Sequence, residues 1–271
     1  MPELPEVETV CTGLKNKILN LKVKKIKIIN DKLRRKIPAK IEKIFKEKSV
    51  KCILRRGKNG IIVFNCNYVI EFHLGMTGKF MISNNLLQLE KHDHLLIEFY
   101  KNCFITYNDV RKFGYIDIKE KPIDLVNMNK LGYEPESIDI FSKYIIKKIT
   151  KSTKTIKSLL LDQSIIVGIG NIYASEILFN AGVNPKKTGN RIKKKHINKI
   201  LNSTNYILRK AIKEGGSSIK NYNNVEGDLG YFQNSLNVYD KEGLSCLNCK
   251  NLILKIKQSG RSTFFCSFCQ R

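Results

Sequence analysis

Two Cys-x-x-Cys pairs, Cys246/Cys249 and Cys266/Cys269, constrain this chain more than any other feature of its sequence. Sixteen residues separate them, a spacing at which two knuckles close a tetrahedral thiolate site around one zinc ion. The chain shows no export signal, which argues against disulfides, and both pairs fall in one short module, which argues against chance. Four thiolates leave no open coordination position, so the expected Zn2+ is structural: it folds the module and does no chemistry. A module of about thirty-five residues buries too little apolar surface to stand alone.

The whole chain has 271 residues, 42% hydrophobic and 27% charged, enough for about two domains with cores of their own. Its charge is lopsided. Lys and Arg number 49 against 24 Asp and Glu, a formal net charge of +25. Such a surplus suits a polyanionic partner, because Lys and Arg displace condensed counterions from the phosphates they neutralise. No run reaches membrane-spanning length and the N-terminus lacks an apolar signal core, so no membrane association is expected. A soluble, cytoplasmic and nucleoid-associated chain is expected instead. The remaining cysteines (Cys11, Cys52, Cys66, Cys103) have apolar neighbours and read as reduced core residues.

Hydrophobic periodicity divides the chain. Val7, Val10, Cys11, Leu14 and Ile18 recur at helical spacing, which predicts a helix over about residues 1–20. From 21 to 118 the segments are short and rich in β-branched and aromatic residues, as at 50–54, 60–64, 68–74, 94–100 and 114–118. This pattern points to a β-sandwich or barrel-like domain. The character changes near Leu131-Gly132-Tyr133-Glu134-Pro135. Helices are then expected over about 137–149, 153–163, 171–181 and 193–214, the last stopping at Gly215-Gly216. The expected division is 1–130, 131–236 and 237–271.

Two segments carry candidate chemistry. Val167-Gly168-Ile169-Gly170-Asn171 leads into a helix, and backbone N–H groups at such a start suit a phosphate; an ordinary corner between helices would look the same. Pro2 follows the initiator Met1, whose removal would expose a secondary amine. An α-amino group titrates near pH 8, so part of it is neutral and able to attack a sugar aldehyde carbon. Glu3 stands beside it and Glu6 one turn on, although Pro2 taken alone is a common helix-start proline.

Met1-Pro-Glu-Leu-Pro-Glu-Val-Glu-Thr9 resembles the N-terminal signature of the formamidopyrimidine-DNA glycosylases, bacterial repair enzymes for oxidised purines. The resemblance continues in order through His73-Leu-Gly-Met-Thr-Gly78, Lys91-His-Asp-His94, Asp109-Val-Arg-Lys-Phe-Gly114, Val167–Glu176 and Gly230-Tyr-Phe232 to the cysteine module. It therefore covers the whole chain. It implies an α+β fold: an N-terminal helix with a β-sandwich, a helix-two-turn-helix domain and a four-cysteine zinc finger.

The resemblance also implies roles, residue by residue. Pro2 matches the nucleophile that displaces the damaged base and forms an imine with C1′. β- and then δ-elimination of the flanking phosphates follow. Glu3 matches the acid/base carboxylate and Glu6 a supporting acidic position. Lys58 matches a lysine of the elimination steps or of phosphate contact. Arg261, between the cysteine pairs, matches the zinc-finger arginine that grips phosphates; a permanently protonated guanidinium suits a clamp better than a proton donor. Met76, Arg111 and Phe113 match residues that fill the space left by an extruded nucleotide, with Phe113 as the wedge and Arg111 against the orphaned base. His92 and Asn171 match DNA-backbone positions. A further lysine contact is expected near Ser152, where Lys154 or Lys151 could supply it. The loop Gly215–Gly230 matches a lesion-covering loop.

The implied partner is double-stranded DNA containing oxidised bases or abasic sites, bound by a monomer, with no cofactor besides zinc. The closest rival is an endonuclease VIII-like glycosylase for oxidised pyrimidines; Leu4, Met76, Arg111 and Phe113 favour the purine enzyme. A non-catalytic zinc-ribbon DNA-binding protein is the rival of another class, and the joint presence of Pro2, Glu3, Lys58 and Arg261 argues against it.

Overall fold

Helix α1 (Leu4–Ile18) forms where the apolar spacing predicts, and it buries Leu4, Val7, Val10, Cys11, Leu14 and Ile18. Pro5 occupies its first turn, where a missing N–H costs nothing, and Asn20 leaves the helical region at φ 63°. The extended backbone of Glu3 and of Leu19, at ψ 133°, bounds the helix and makes it shorter than expected at both ends. The computed structural model describes residues 2–85, 88–121, 131–217 and 230–271. By contacts the chain forms two units, Met1–Met128 with Glu214–Tyr231, and Asn129–Lys213 with Phe232–Arg271.

The first unit is a sandwich of two antiparallel four-stranded sheets. Its strands are β1 (Val23–Ile28), β2 (Val50–Arg56), β3 (Asn59–Phe64), β4 (Tyr68–His73), β5 (Lys79–Ser83), β6 (Asp93–Phe99), β7 (Cys103–Asn108) and β8 (Tyr115–Glu120). One sheet runs β1-β6-β7-β5 and the other β2-β3-β4-β8. The strand β3 lies inside its sheet and is buried at nearly every position, whereas β1 sits at an edge and exposes Lys24, Lys25 and Lys27. Phe72 of β4 and Phe80 of β5 meet edge-on at 4.8 Å and tie the two sheets together. The short helix α2 (Ile41–Phe45) was not legible in the sequence; it adds Ile41 and Phe45 to the same core. Helix α1 docks on β2 through Arg55 Nε donating to Glu8 and the Cys11 thiol donating to the Leu54 carbonyl. Cys11 and Cys103 are core residues, while Cys52 and Cys66 are only half-buried, because both sit near strand ends where the sheet meets solvent.

The second unit contains α3 (Ile138–Thr150), α4 (Ile156–Leu160), α5 (Asn171–Asn180) and α6 (Lys194–Lys213). The expected helix over 153–163 shrinks to α4. Thr155 caps it by accepting from Ser158 N, and the residues before it pair instead with the 187–190 segment through a Thr155–Thr188 bridge. Helix α5 is buried from Ile172 to Phe179, Ser175 and Glu176 included, the pattern of a central helix. The hairpin β9 (Leu254–Gln258) and β10 (Arg261–Phe265) follows. Phe179 of α5 packs with Val238, Ile253, Phe264, Cys246 and Cys266, so the cysteine module borrows a helix to complete its core. The Glu176 carboxylate, fully buried, accepts from the backbone N–H groups of Asn237, Val238 and Tyr239 and fixes the segment that leads into the module. Among the described residues no helix is long and apolar enough to cross a membrane.

Candidate functional site

Three groups of predicted site residues lie in the first unit. Pro2, Glu3 and Glu6 are all buried at the start of α1. Glu6 Oε2 accepts from Glu3 N at 2.8 Å, which holds the backbone beside Pro2. Its other oxygen, Oε1, accepts from Ser217 N at 2.8 Å and from Ser217 Oγ at 3.2 Å. Gly216, at φ +77°, lies so close that a Cβ there would stand 2.9 Å from Glu6 Oε1. Thus the root of the Gly215–Gly230 loop is fastened to the helix start that carries Pro2. Ser217, which no sequence pattern singles out, is the residue that makes the link. The loop's residues 218–229 lie outside the described residues.

Lys58 and Gly57 form the two-residue turn between β2 and β3, with Gly57 at φ 57°. Asn59, next to Lys58, is paired with His73 across to β4. Burial depresses the His73 imidazole from 6.5 to about 4, and the charges of Lys58, Arg34 and Arg35 add to the effect. The ring is therefore neutral, with Nδ1 accepting from Gly75 N at 2.9 Å and its face stacked on Tyr115 at 5.6 Å. His73 opens the His73–Gly78 motif, but its place among three cations appears only in the fold.

Met76, Arg111 and Phe113 come from two turns that are pinned together. Gly75, at φ +59°, packs so tightly that a Cβ would lie 2.4 Å from Gly114 N and from the Phe113 carbonyl carbon. Asp109 braces both turns, taking hydrogen bonds from Thr77 Oγ1 at 2.5 Å and from Gly114 N at 2.8 Å. Arg111 N donates to Thr77 Oγ1, and its guanidinium lies 4.9 Å from the Phe113 ring centre. Met76 is 37% exposed and Phe113 46%, so neither side chain is a core filler. His92 is half-buried beside this pair of turns, its carbonyl accepting from Asp109 N.

The second unit carries the others. Asn171 opens α5, and its Nδ2 donates to the Ser262 carbonyl at 2.9 Å, while its Oδ1 is buried with no hydrogen-bond partner among the described residues. In the turn before it, Gly168 N donates to Gln163 Oε1 at 2.8 Å. Lys157 is fully buried and also donates to Ser262 O, at 2.8 Å, and to Thr263 Oγ1, at 2.7 Å. Arg261, exposed at the start of β10, is the neighbour of the carbonyl that both side chains hold. No local sequence pattern marks Lys157 for burial. Lys154 is exposed, 3.8 Å from Asp162.

The four sulfurs of Cys246, Cys249, Cys266 and Cys269 lie within 4.8 Å of one another. Two of the separations, Cys246–Cys269 at 3.9 Å and Cys249–Cys266 at 3.4 Å, bracket the ~3.8 Å that tetrahedral bonds of about 2.3 Å require. None is in a disulfide. The site fits one structural zinc ion with no open position.

Known proteins match the chain along its length. The profile described as the formamidopyrimidine-DNA glycosylase N-terminal domain matches residues 1–116, and that described as its H2TH domain matches 131–223. The chain belongs to the formamidopyrimidine-DNA glycosylase family. The zinc finger found in FPG and IleRS matches residues 243–271. The family member of Rickettsia conorii is 38% identical over 271 residues, covering 100% of this chain and 99% of that relative. Among solved structures, Lactococcus lactis Fpg in complex with an abasic site containing DNA superposes with a TM-score of 0.91 at 38% identity, covering 99% of each chain. The wild-type Lactococcus lactis protein with an N7-benzyl-Fapy-dG containing DNA gives 0.92 at 38%, covering 100% of each. A third complex of that protein, with an oxidized pyrimidine containing DNA, gives 0.92 at 37% over 100% of both chains. The fold is thus the family's: a β-sandwich domain, a helix-two-turn-helix domain and a four-cysteine zinc finger.

Proposed function

We propose that this chain is a base-excision-repair DNA glycosylase that removes 8-oxoguanine and formamidopyrimidines and then cleaves the abasic strand by β,δ-elimination. The observation that carries the reading is the buried Pro2–Glu3–Glu6 start of α1, in a chain aligned end to end with relatives named formamidopyrimidine-DNA glycosylase. With Met1 removed, the Pro2 nitrogen attacks C1′ and the glycosidic bond to the damaged base breaks. Glu3 delivers a proton to the ring oxygen, the C1′–O bond opens, and a cationic imine forms between nitrogen and C1′. That cation acidifies the C2′ hydrogen. Loss of the proton drives out the 3′ phosphate; loss of the C4′ proton then drives out the 5′ phosphate, and water hydrolyses the imine.

Lys58, in its turn beside His73, serves the elimination steps or their phosphates, and Arg261 clamps phosphate. The DNA backbone is bound by His92, Lys154 and Asn171. Phe113 and Met76 wedge the stack opened by the extruded nucleotide, and Arg111 faces its former partner. The zinc ion supplies no chemistry; it holds the hairpin that carries Arg261. We assign the working divisions as 1–130, 131–236 and 237–271, and the enzyme as a cytoplasmic, nucleoid-associated monomer.

Borohydride trapping tests the chemistry. The wild-type protein should form a covalent complex with DNA containing 8-oxoguanine or an abasic site, and Pro2→Gly should trap poorly. Unimpaired trapping with a blocked N-terminus would refute the Pro2 step. A thymine glycol arm separates the endonuclease VIII-like reading, which a preference for that substrate would establish. Binding to damaged DNA without any cleavage would favour the non-catalytic alternative.

A further inference from the structure

Between Ile177 and Lys213 the chain has ten Lys and Arg residues and not one Asp or Glu. The cations are not spread evenly. Lys193, Lys194 and Lys195 lead into α6, with Arg191 just before them and Lys199 one turn on. Lysines at a helix start oppose the positive end of the helix dipole, and the first turn of α6 contains no acidic residue to offset them. Lys186, Lys193, Lys194, Lys195 and Lys199 are exposed and Lys187 is half-buried. They crowd one another: desolvation lowers the pKa of His196, and the charges of Lys187, Lys195, Lys199 and Lys193 lower it further.

The Lys186–Lys187 end of this cluster adjoins elements that carry proposed DNA contacts of the same unit. Arg261 pairs with Gln258 across the zinc hairpin, and Gln258 Nε2 donates to the Pro185 carbonyl at 3.3 Å. Lys186, the next residue, lies 5.6 Å from the Phe265 ring centre. The Lys187 carbonyl accepts from Ile156 N, and the Lys154 carbonyl accepts from Gly189 N. These contacts tie Lys186 and Lys187 to the zinc hairpin and to the segment that carries Lys154, and the chain continues from there to the lysines at the start of α6.

We propose that Lys186, Lys187, Lys193, Lys194, Lys195 and Lys199 form a second DNA-backbone surface that grips the duplex flanking the lesion. The proposal rests on the DNA-repair reading above. Flexible lysines suit it, since phosphate contact requires charge but no fixed geometry. The surface adds affinity that is independent of sequence and lesion, and it lengthens the footprint.

The test replaces Lys193, Lys194 and Lys195 together by Gln and compares two lesion duplexes, one of about one and a half helical turns and one of about four, at ~34 Å per turn. On the long duplex the slope of log affinity against log salt should fall by roughly 2–3, at about 0.9 for each phosphate that is no longer neutralised. Affinity there should drop at least tenfold at low salt. On the short duplex, binding and single-turnover excision should stay at the wild-type level, and the triple Lys→Arg variant should restore the long-duplex slope. An unchanged slope on the long duplex overturns the proposal. Equal losses on both duplexes also overturn it, since the lysines would then belong to the lesion site. A larger loss on duplex RNA than on DNA would assign the surface to another partner. If the wild-type protein binds neither DNA, the repair reading itself fails, which is a separate outcome.

Discussion

The Lys157 Nζ lies 2.8 Å from the carbonyl oxygen of Ser262, the residue that follows Arg261. A buried lysine side chain therefore fixes the strand whose first residue is the exposed arginine. Lys157→Met keeps the length of the side chain; Asn171 Nδ2 still donates to Ser262 O, so the fully buried Thr263 hydroxyl is the group that loses its donor. Leaving a buried polar group unsatisfied costs about 1–3 kcal/mol. Denaturant unfolding should show a loss of that order, and single-turnover elimination should slow more than DNA affinity falls. An unfolding midpoint equal to wild type would show that Lys157 does not hold the hairpin.

Glu6 joins Glu3 N to Ser217, so it couples the helix start to the root of the loop. Glu6→Gln leaves one oxygen acceptor and sets an amide donor against a backbone or hydroxyl donor. The expected cost is about 1–3 kcal/mol of stability together with slower imine formation in the trapping assay. Gly216→Ala attacks the same join from the other side, through its positive φ and the 2.9 Å approach of a Cβ to Glu6 Oε1. Both variants should raise proteolytic cleavage within 215–230 relative to wild type. A cleavage rate unchanged in both would dissolve the link.

The elements with long, regular apolar spacing were legible in the sequence, α1 and α6 above all, because burial of one face dictates the period. Cysteine spacing likewise marks the metal site in the sequence alone. What escaped was tertiary. The Lys157–Ser262 bond spans 105 residues and the Glu6–Ser217 bond 211, and no local pattern reports contacts of that separation. The same reason explains why the 153–163 helix was overdrawn: residues 152–155 are claimed by partners at 187–190, a competition that periodicity cannot register.

His73 makes stability depend on pH. Its folded pKa is about 4, against 6.5 for the ordinary imidazole, chiefly because burial disfavours the charged ring. Between those values the unfolded chain binds more protons than the folded one, so stability falls as pH drops from about 6.5 towards 4 and is fully present above 6.5. Protonation would also break the bond from Gly75 N to Nδ1 and place a cation among Lys58, Arg34 and Arg35. His73→Gln keeps an acceptor without titrating, so its stability should decline less through that window. NMR titration should place the His73 midpoint far below that of an exposed histidine; a midpoint near 6.5 would contradict the burial argument.

The zinc module depends on both its metal and its helix. Cys246 and Cys266 are fully buried against Phe179, and Gln270 ties the second knuckle back by donating to the Val183 carbonyl and accepting from Cys266 N. Without the metal, four thiols crowd one small volume with nothing to hold them, and binding energy that in isolated fingers reaches about 10–16 kcal/mol is lost. Cys266→Ser should therefore release zinc, unfold residues 237–271 and reduce affinity for lesion DNA by at least a hundredfold. The sandwich unit should keep its unfolding transition, because its core shares no residue with the module. Hydrogen exchange by region, read alongside zinc content, separates the two effects. If the variant loses its metal and still binds damaged DNA like wild type, the module does not present Arg261 to phosphate.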